Sequence, residues 1–260
     1  MTAWLFCPAD RPDRYAKAAD VADVVILDLE DAVAPAARPA ARSALVVSNL
    51  DPERTVVRVN PVGTPDHALD LQALAQTAFD RVMLAKSETV DQIRLLANYS
   101  VVALCETPAG VLQAPALARE PNVTALMWGA EDLVAAIGGR SSRFPDGRYR
   151  DVARLARSSV LLAAAAAGKS ALDSVFLDLA DLDGLAAEAA DGVASGFAAK
   201  VCIHPVQVPV VRAAFAATEA QVAWARRVLA TAQTERGVFS FEGQMVDEPV
   251  LRQARQILAG

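Results

Sequence analysis

Histidine is almost missing from this chain. There are two in 260 residues, His67 and His204. With so few, and with no Cys-x-x-Cys pair among the three cysteines, no ligand spacing for zinc exists. Cys7, Cys105 and Cys202 each sit in an apolar run. They read as buried core thiols without a disulfide framework, which fits a reducing compartment. Positive charge is also in deficit. Lys and Arg total 25 against 31 acidic residues, a formal charge of −6, so neither nucleic acid nor an anionic membrane is the expected partner. No apolar stretch reaches the ~18 residues of a membrane span without an interrupting charge, Pro or Gly. The start, Met1-Thr2-Ala3-Trp4, enters an apolar strand with no basic leader region, so a cytoplasmic location is expected. Glycine is missing from the turn after the first apolar run, Cys7-Pro8-Ala9-Asp10-Arg11-Pro12. A dinucleotide-binding fold often carries its phosphate loop there.

What is present is an alternation. Short strand-like runs are each followed by a longer stretch with helical periodicity. Strands are expected at Trp4–Cys7, Val24–Leu29, Thr55–Val59, Arg81–Ala85, Val101–Cys105, Ala125–Trp128, Asp173–Leu177 and Lys200–Ile203. Helices are expected near 13–20, 38–48, 68–76, 89–97, 110–118, 151–167, 182–191 and 207–217. Eight such units make a closed (β/α)8 TIM barrel the expected fold, with an open doubly wound sheet as the alternative. The barrel would occupy residues 1–217. Residues 218–260 are surplus: a helix Glu219–Thr234, a break at Arg236–Gln244 and a last helix Pro249–Leu258. They read as a C-terminal extension of the same structural domain, either packed under the barrel or acting as a lid. Gly138–Arg150 is polar and irregular, and after strand six it reads as a functional rim loop.

A parallel barrel carries its active site at the C-terminal ends of its strands. Those ends hold Asp28-Leu29-Glu30-Asp31, Arg58-Val59-Asn60, Lys86, Glu106-Thr107-Pro108, Gly129-Ala130-Glu131-Asp132 and His204-Pro205. Glu106 and Asp132 come from neighbouring strands and offer oxygen donors only. That set suits Mg²⁺, with Mn²⁺ as an alternative. The competing reading is that each carboxylate serves a helix N-terminus, Asp132 from a turn before Leu133. Arg58 is the expected anion binder, able to hold a carboxylate with two parallel bonds and to stabilise an oxyanion. Its competing role is an ion pair with Glu30 or Asp31. Asp28, Glu30 and Asp31, together with Lys86, read as supporting groups that orient Arg58 and metal-bound waters. His67 is expected to be solvated and idle, and His204 to hydrogen-bond within the strand-end layer.

Several segments together carry a resemblance. They are Trp4-Leu5-Phe6-Cys7-Pro8, Val25-Ile26-Leu27-Asp28-Leu29-Glu30-Asp31, Val57-Arg58-Val59-Asn60, Glu106-Thr107-Pro108-Ala109-Gly110, Gly129-Ala130-Glu131-Asp132-Leu133, the run from Gly196 to Gln207, and Gly243-Gln244-Met245-Val246-Asp247. In this order they resemble the citrate lyase beta-subunit-like proteins, whose superfamily includes the malyl-CoA and citramalyl-CoA lyases. The resemblance implies a barrel in a homotrimer, with Mg²⁺ on Glu106 and Asp132. It implies that Arg58 contacts the keto-acid half of the substrate, with Gly129 and Ala130 as further substrate-binding positions. It implies that Asp247 is the acid/base residue, on a segment covering a neighbouring subunit's barrel mouth. CoA would lie near Phe6, Arg14 and Lys17. Asp247 can instead be read as the N-cap of the last helix. Ala9 and Ala85 depart from the family's frequent glycine and proline.

The activity so implied is a carbon–carbon lyase, cleaving or forming a 3-hydroxyacyl-CoA such as malyl-CoA or citramalyl-CoA. Its small-molecule partners would be an acyl-CoA and a 2-keto acid. Three alternatives stand beside it. One is a citrate lyase beta subunit that takes the citryl thioester of an acyl-carrier protein to oxaloacetate. Another is a CoA-independent pyruvate aldolase, for which a histidine near the metal is needed and His67 is poorly placed. The last is a barrel without catalysis, against which Glu106, Asp132, Arg58 and Asp247 argue.

Overall fold

The structure, a computed structural model, describes residues 1–235 and 237–259. Eight parallel strands close into a barrel in sequence order, the last pairing back onto the first. They are β1 (Ala3–Pro8), β2 (Val24–Asp28), β3 (Thr55–Val59), β4 (Arg81–Leu84), β5 (Ser100–Cys105), β6 (Val123–Trp128), β7 (Ser170–Asp173) and β8 (Ala199–Cys202). Between and after them run α1 (Tyr15–Val21), α2 (Arg38–Val46), α3 (Pro65–Leu74), α4 (Val90–Arg94), α5 (Pro108–Leu117), α6 (Ala130–Ala136), α7 (Asp151–Ala166), α8 (Leu182–Ser195) and α9 (Gln207–Phe215). The expected closed barrel is therefore the observed one. Helix starts follow local chemistry. Thr64 and Thr107 cap α3 and α5 with a proline at the first turn, and Thr89 with Gln92 forms a capping box at α4. At the end of α8 the chain turns through Gly196 at φ +105°, a backbone state that a Cβ would penalise.

Pleating decides what each strand buries. Side chains alternate across a sheet with a period of two, so one parity fills the barrel. Trp4, Val24 and Ile26, Val56, Met83, Val102 and Leu104, Ala125 and Met127, Leu172, and Ala199 and Val201 form that interior cluster. The opposite parity faces the helices. All three cysteines are free and buried, as the sequence implies. Burial pushes the thiols of Cys105 and Cys202 up to about 12, so neither is a ready nucleophile. Among the described residues no helix is long and apolar enough to cross a membrane.

Three elements differ from expectation. The seventh strand is Ser170–Asp173 and not Asp173–Leu177. The apolar run Val175–Leu177 imitates a strand but has left the sheet, and Val175 and Leu177 border the barrel mouth instead. Helix α6 was not anticipated, so Asp132 lies in the first turn of a helix rather than in a turn before Leu133. Residues Ala213–Gly260 form a second compact unit. There α10 (Glu219–Thr231), a hairpin of β9 (Phe239–Phe241) and β10 (Gln244–Val246), and α11 (Glu248–Ala259) share a core of Ala225, Val228, Val246 and Ala254. Where a plain break was expected, the chain makes the hairpin. Arg236, the first residue of that expected break, lies outside the described residues.

The floor of the barrel is tied by Asp23. Its carboxylate accepts from the backbone N–H groups of Thr2 and Ala3 at 2.8 and 3.0 Å and pairs with Arg212. Burial raises its proton affinity, but these hydrogen bonds and the arginine outweigh it and hold the carboxyl at about 2. A carboxylate depressed in the folded state contributes stability that is complete above its unfolded value and is lost as pH falls through the folded one. Asp23→Asn should therefore lower stability at pH 7 by about 1–2 kcal/mol, allowing for solvent screening. In thermal denaturation the difference from the parent should vanish between pH ~4 and ~2. An unchanged midpoint at pH 7 would remove Asp23 from the closure.

Candidate active site at the barrel mouth

The interior parity does not stop where the strands end. One more step of two brings Asp28 after Ile26, Arg58 after Val56, Glu106 after Leu104, Gly129 after Met127, Ser174 after Leu172 and Ile203 after Val201. These six residues line a cavity of about 300 Å³ at the mouth. Its floor is apolar, made by Phe6, Leu104 and Met127, and its rim is acidic.

Arg58 is the organising cation. Its Nε donates to Asp28 at 2.7 Å and a terminal nitrogen donates to the same carboxylate, a two-point grip. Another terminal nitrogen lies 3.0 Å from Glu30. The guanidinium also stacks 4.6 Å above the Phe6 ring. Burial favours losing its proton, but the charges of Asp28, Glu30 and Glu106 outweigh that and hold the proton more tightly than usual. Of the two ion-pair partners expected for Arg58, Glu30 is observed and Asp31 is not. Asp31 is half exposed and lies 3.6 Å from Lys86 Nζ.

Lys86 gathers the remaining acids. Its Nζ donates to Glu30, and lies 3.3 Å from Asp132 and 3.8 Å from Glu106. Its backbone N–H donates to Glu106 Oε1 at 3.0 Å. The residue adopts φ +50°, uncommon for a side chain larger than glycine. Glu106 is buried, and its carboxyl is pushed up to about 8 by that burial and by the charge of Asp132, despite Arg58 and Lys86. Thr107 rather than Glu106 caps α5, so the capping reading of Glu106 does not hold.

Arg58 and Lys86 do not offset the burial of Glu106 and the charge of Asp132, and the pair offers two hard oxygen donors. The residues therefore fit a divalent cation that takes its other ligands from water and substrate. Among the described residues no three His, Cys, Asp or Glu side chains are grouped to hold a metal by themselves.

A second cleft of about 380 Å³ adjoins the mouth and shares Phe6, Pro8 and Ile203 with it. Its lining includes Arg14, Lys17 and His204. The structure thus brings Phe6, Arg14 and Lys17 together, and Asp28, Asp31, Arg58, Glu106, Gly129, Ala130 and Asp132 around the neighbouring cavity. Ser174, Val175 and Ile203 were missed as mouth residues, although a count of two along each strand finds Ser174 and Ile203. His204 accepts from the Val206 N–H at 3.2 Å, within the strand-end layer as expected. His67 is a correction. It is buried, not solvated, because its Nδ1 bonds the Asn60 carbonyl at 2.8 Å. Asp247, in the second unit, accepts from the Val250 N–H at 3.4 Å, the geometry of an N-cap to α11.

A closed parallel barrel with charged groups gathered at the C-terminal ends of its strands has the arrangement of a barrel enzyme's active site. Residues 2–205 match the HpcH/HpaI aldolase/citrate lyase family. The chain belongs to that family, and it is a carbon–carbon lyase. A citrate lyase subunit beta-like protein of Mycobacterium tuberculosis (strain CDC 1551 / Oshkosh) is 58% identical over 255 residues, covering 98% of this chain and 93% of that one. The mitochondrial citramalyl-CoA lyase of Homo sapiens is 31% identical over 266 residues, covering 90% and 77%. Among solved structures, that of the protein CitE from Mycobacterium tuberculosis with magnesium, acetoacetate and coenzyme A superposes with a TM-score of 0.97. It is 58% identical to this chain and covers 99% of it and 97% of its own length.

Gly129 shows how tightly the mouth is built. A Cβ there would lie 2.7 Å from Glu106 Cβ and 3.0 Å from its Oε2. Gly129→Ala should therefore push Glu106 aside, costing roughly 1–3 kcal/mol of stability and most of the turnover. Gly147→Ala makes a control for lost stability alone, since at φ +84° an added Cβ strains the backbone but nothing lies within 4 Å to be displaced. Equal loss of activity in both variants would show that the Glu106 contact is not the cause.

Proposed function

We propose that the chain is an Mg²⁺-dependent lyase that splits a carboxylate-bearing 3-hydroxyacyl thioester into a 2-keto acid and a shorter acyl thioester. The observation that carries this is the pair of joined clefts. One is acidic, with a single gripped arginine, and the other is basic, and they meet at Phe6, Pro8 and Ile203. A substrate with a small hydroxy-acid head and a long phosphate-bearing tail matches both at once. Arg14 and Lys17 would face the tail's anionic groups.

Glu106 and Asp132 would hold the metal. When bound, it supplies Lewis-acid polarisation of the substrate's hydroxyl and carboxylate oxygens. The substrate hydroxyl gives its proton to solvent water, and Arg58 stabilises that oxygen as it becomes the keto group and the carbon–carbon bond electrons move to the thioester enolate. Asp28 and Glu30 keep that guanidinium aimed at the cavity. Gly129 and Ala130 lend close approach at the start of α6. Asp247, contributed from a neighbouring copy in a homotrimer with the C-terminal unit as lid, delivers the proton to the enolate carbon. The reverse direction removes that proton for condensation.

The identity gradient favours one substrate. The citrate lyase subunit beta-like relative stands at 58% and the citramalyl-CoA lyase at 31%. This supports a citryl thioester, yielding oxaloacetate, over malyl- or citramalyl-CoA. The basic cleft keeps the second reading in play, because a CoA-sized tail suits Arg14 and Lys17. Purified protein with Mg²⁺ should release oxaloacetate from citryl-CoA with a higher kcat/KM than it releases keto acid from malyl- or citramalyl-CoA. The opposite ranking would install the second reading, and no keto acid from any of the three would overturn the lyase assignment at this mouth.

Two variants divide the roles. Arg58→Lys keeps the charge but loses the fork, so keto-acid affinity should fall about tenfold or more, the worth of a charge-assisted hydrogen bond of ~1.5–3 kcal/mol. Asp247→Asn preserves a good N-cap but cannot move a proton. The rate should fall by ~10²–10⁴-fold with Mg²⁺ binding retained. A full rate in Asp247→Asn would leave Asp247 as a cap alone.

A further inference from the structure

Behind the mouth, on the outward parity of β6, β7 and β8, lies a cluster of charges that the chemistry proposed here does not use. Lys200 and Asp173 are fully buried and sit opposite each other in register between β8 and β7. Lys200 Nζ donates to the Ser174 carbonyl at 2.7 Å and to Glu188 on α8 at 2.9 Å, and lies 3.5 Å from Asp173. Asp173 accepts from the Trp128 indole N–H at 2.7 Å, from Arg157 on α7 at 3.0 Å and from the Ser174 N–H at 3.1 Å. Glu188 accepts from the Tyr149 hydroxyl at 3.1 Å and pairs with Arg143 at 2.7 Å. The helix comes close because Gly192 is bare. A Cβ there would lie 3.1 Å from Asp173 Oδ2.

Burying such a network is expensive, and apolar residues of the same shape often serve stability as well or better. Its contacts have a common geometry instead. Through Ser174 it grips the backbone that leads into Val175, one wall of the mouth. Through the Trp128 indole it grips the end of β6, from which Gly129 and Asp132 follow. Through Arg143 and Tyr149 it grips the rim loop, whose Ser142 hydroxyl donates to Glu131 at 2.6 Å beside Asp132. The first two pieces border the cavity, and the third holds Glu131, which borders it too.

We infer that Lys200 is a positioning residue: with Asp173 and Glu188 it fixes the Ser174 wall and the Asp132 turn relative to each other, and thereby the strength of divalent-cation binding at the mouth. The inference rests on the reading of Glu106 and Asp132 as metal donors. Lys200 touches neither the cavity nor a reacting atom. Its effect passes through the backbone of Ser174 and, by way of Asp173, through Trp128.

The test uses the full chain and Mg²⁺ alone, by titration calorimetry. Lys200→Met keeps the length of the side chain and removes its charge. Trp128→Phe keeps a ring and removes only the N–H that Asp173 holds, and serves if Lys200→Met does not fold. Each should weaken Mg²⁺ binding by about tenfold, the usual size of an outer-shell effect, with the far-ultraviolet circular dichroism of the parent. A variant with a lower Tm and the parent's Mg²⁺ affinity would make the cluster purely structural and overturn the inference. A parent chain that binds no Mg²⁺ would overturn the metal reading of the mouth itself.

Discussion

The grip of Asp28 on Arg58 is the interaction on which the mouth depends. Five carboxylates line the cavity, those of Asp28, Asp31, Glu106, Glu131 and Asp132, with Arg58 as the single cation among the lining residues. Carboxylates crowded in a poorly solvated site repel one another and tend to take up protons. Arg58 offsets this only because strand register sets it directly beside Asp28 on the neighbouring strand. The planar fork then fixes both side chains. Lys86 does the complementary work from the other side, reaching Glu30, Asp132 and Glu106. The site is thus a property of the sheet's register, expressed as charge.

Much of this was legible in the sequence, for a physical reason. A strand with an apolar inward face that ends in a charged residue announces a buried charge, and buried charges need partners. Glu106, Arg58 and Asp28 stand out on that ground, and the barrel follows from the count of alternating elements. Position within the loops was less legible. The helix that carries Asp132 does not show in the sequence, because seven residues, Ala130–Ala136, are too few for clear helical periodicity. The seventh strand was shifted because Val175-Phe176-Leu177 is more strand-like than Ser170–Asp173. The shorter segment is chosen by pairing with β6 and β8, which no local window contains.

The charge cluster behind the mouth was illegible for a related reason. Lys200 lies in a motif that carried the resemblance, yet nothing local tells which way its side chain turns. Its partners come from β7, α8 and the segment after β7, brought together only by barrel closure. His67 was misread in the same way. Thr64-Pro65-Asp66 looks like an exposed helix start, and Thr64 and Pro65 are exposed, but Asp66 pairs with Arg38 and Arg42 and the next residue turns inward to the Asn60 carbonyl.

The stacked layers of the barrel interior also make depth an adjustable quantity. Leu104 and Met127 form the layer immediately under Glu106 and Gly129, and they carry no charge and touch the cavity as its floor. Their volume sets how far a ligand's substituent can sink below the charged layer. An enzyme designer wishing to admit a bulkier ligand could therefore dig downward through two apolar side chains and leave every ionised group where it stands.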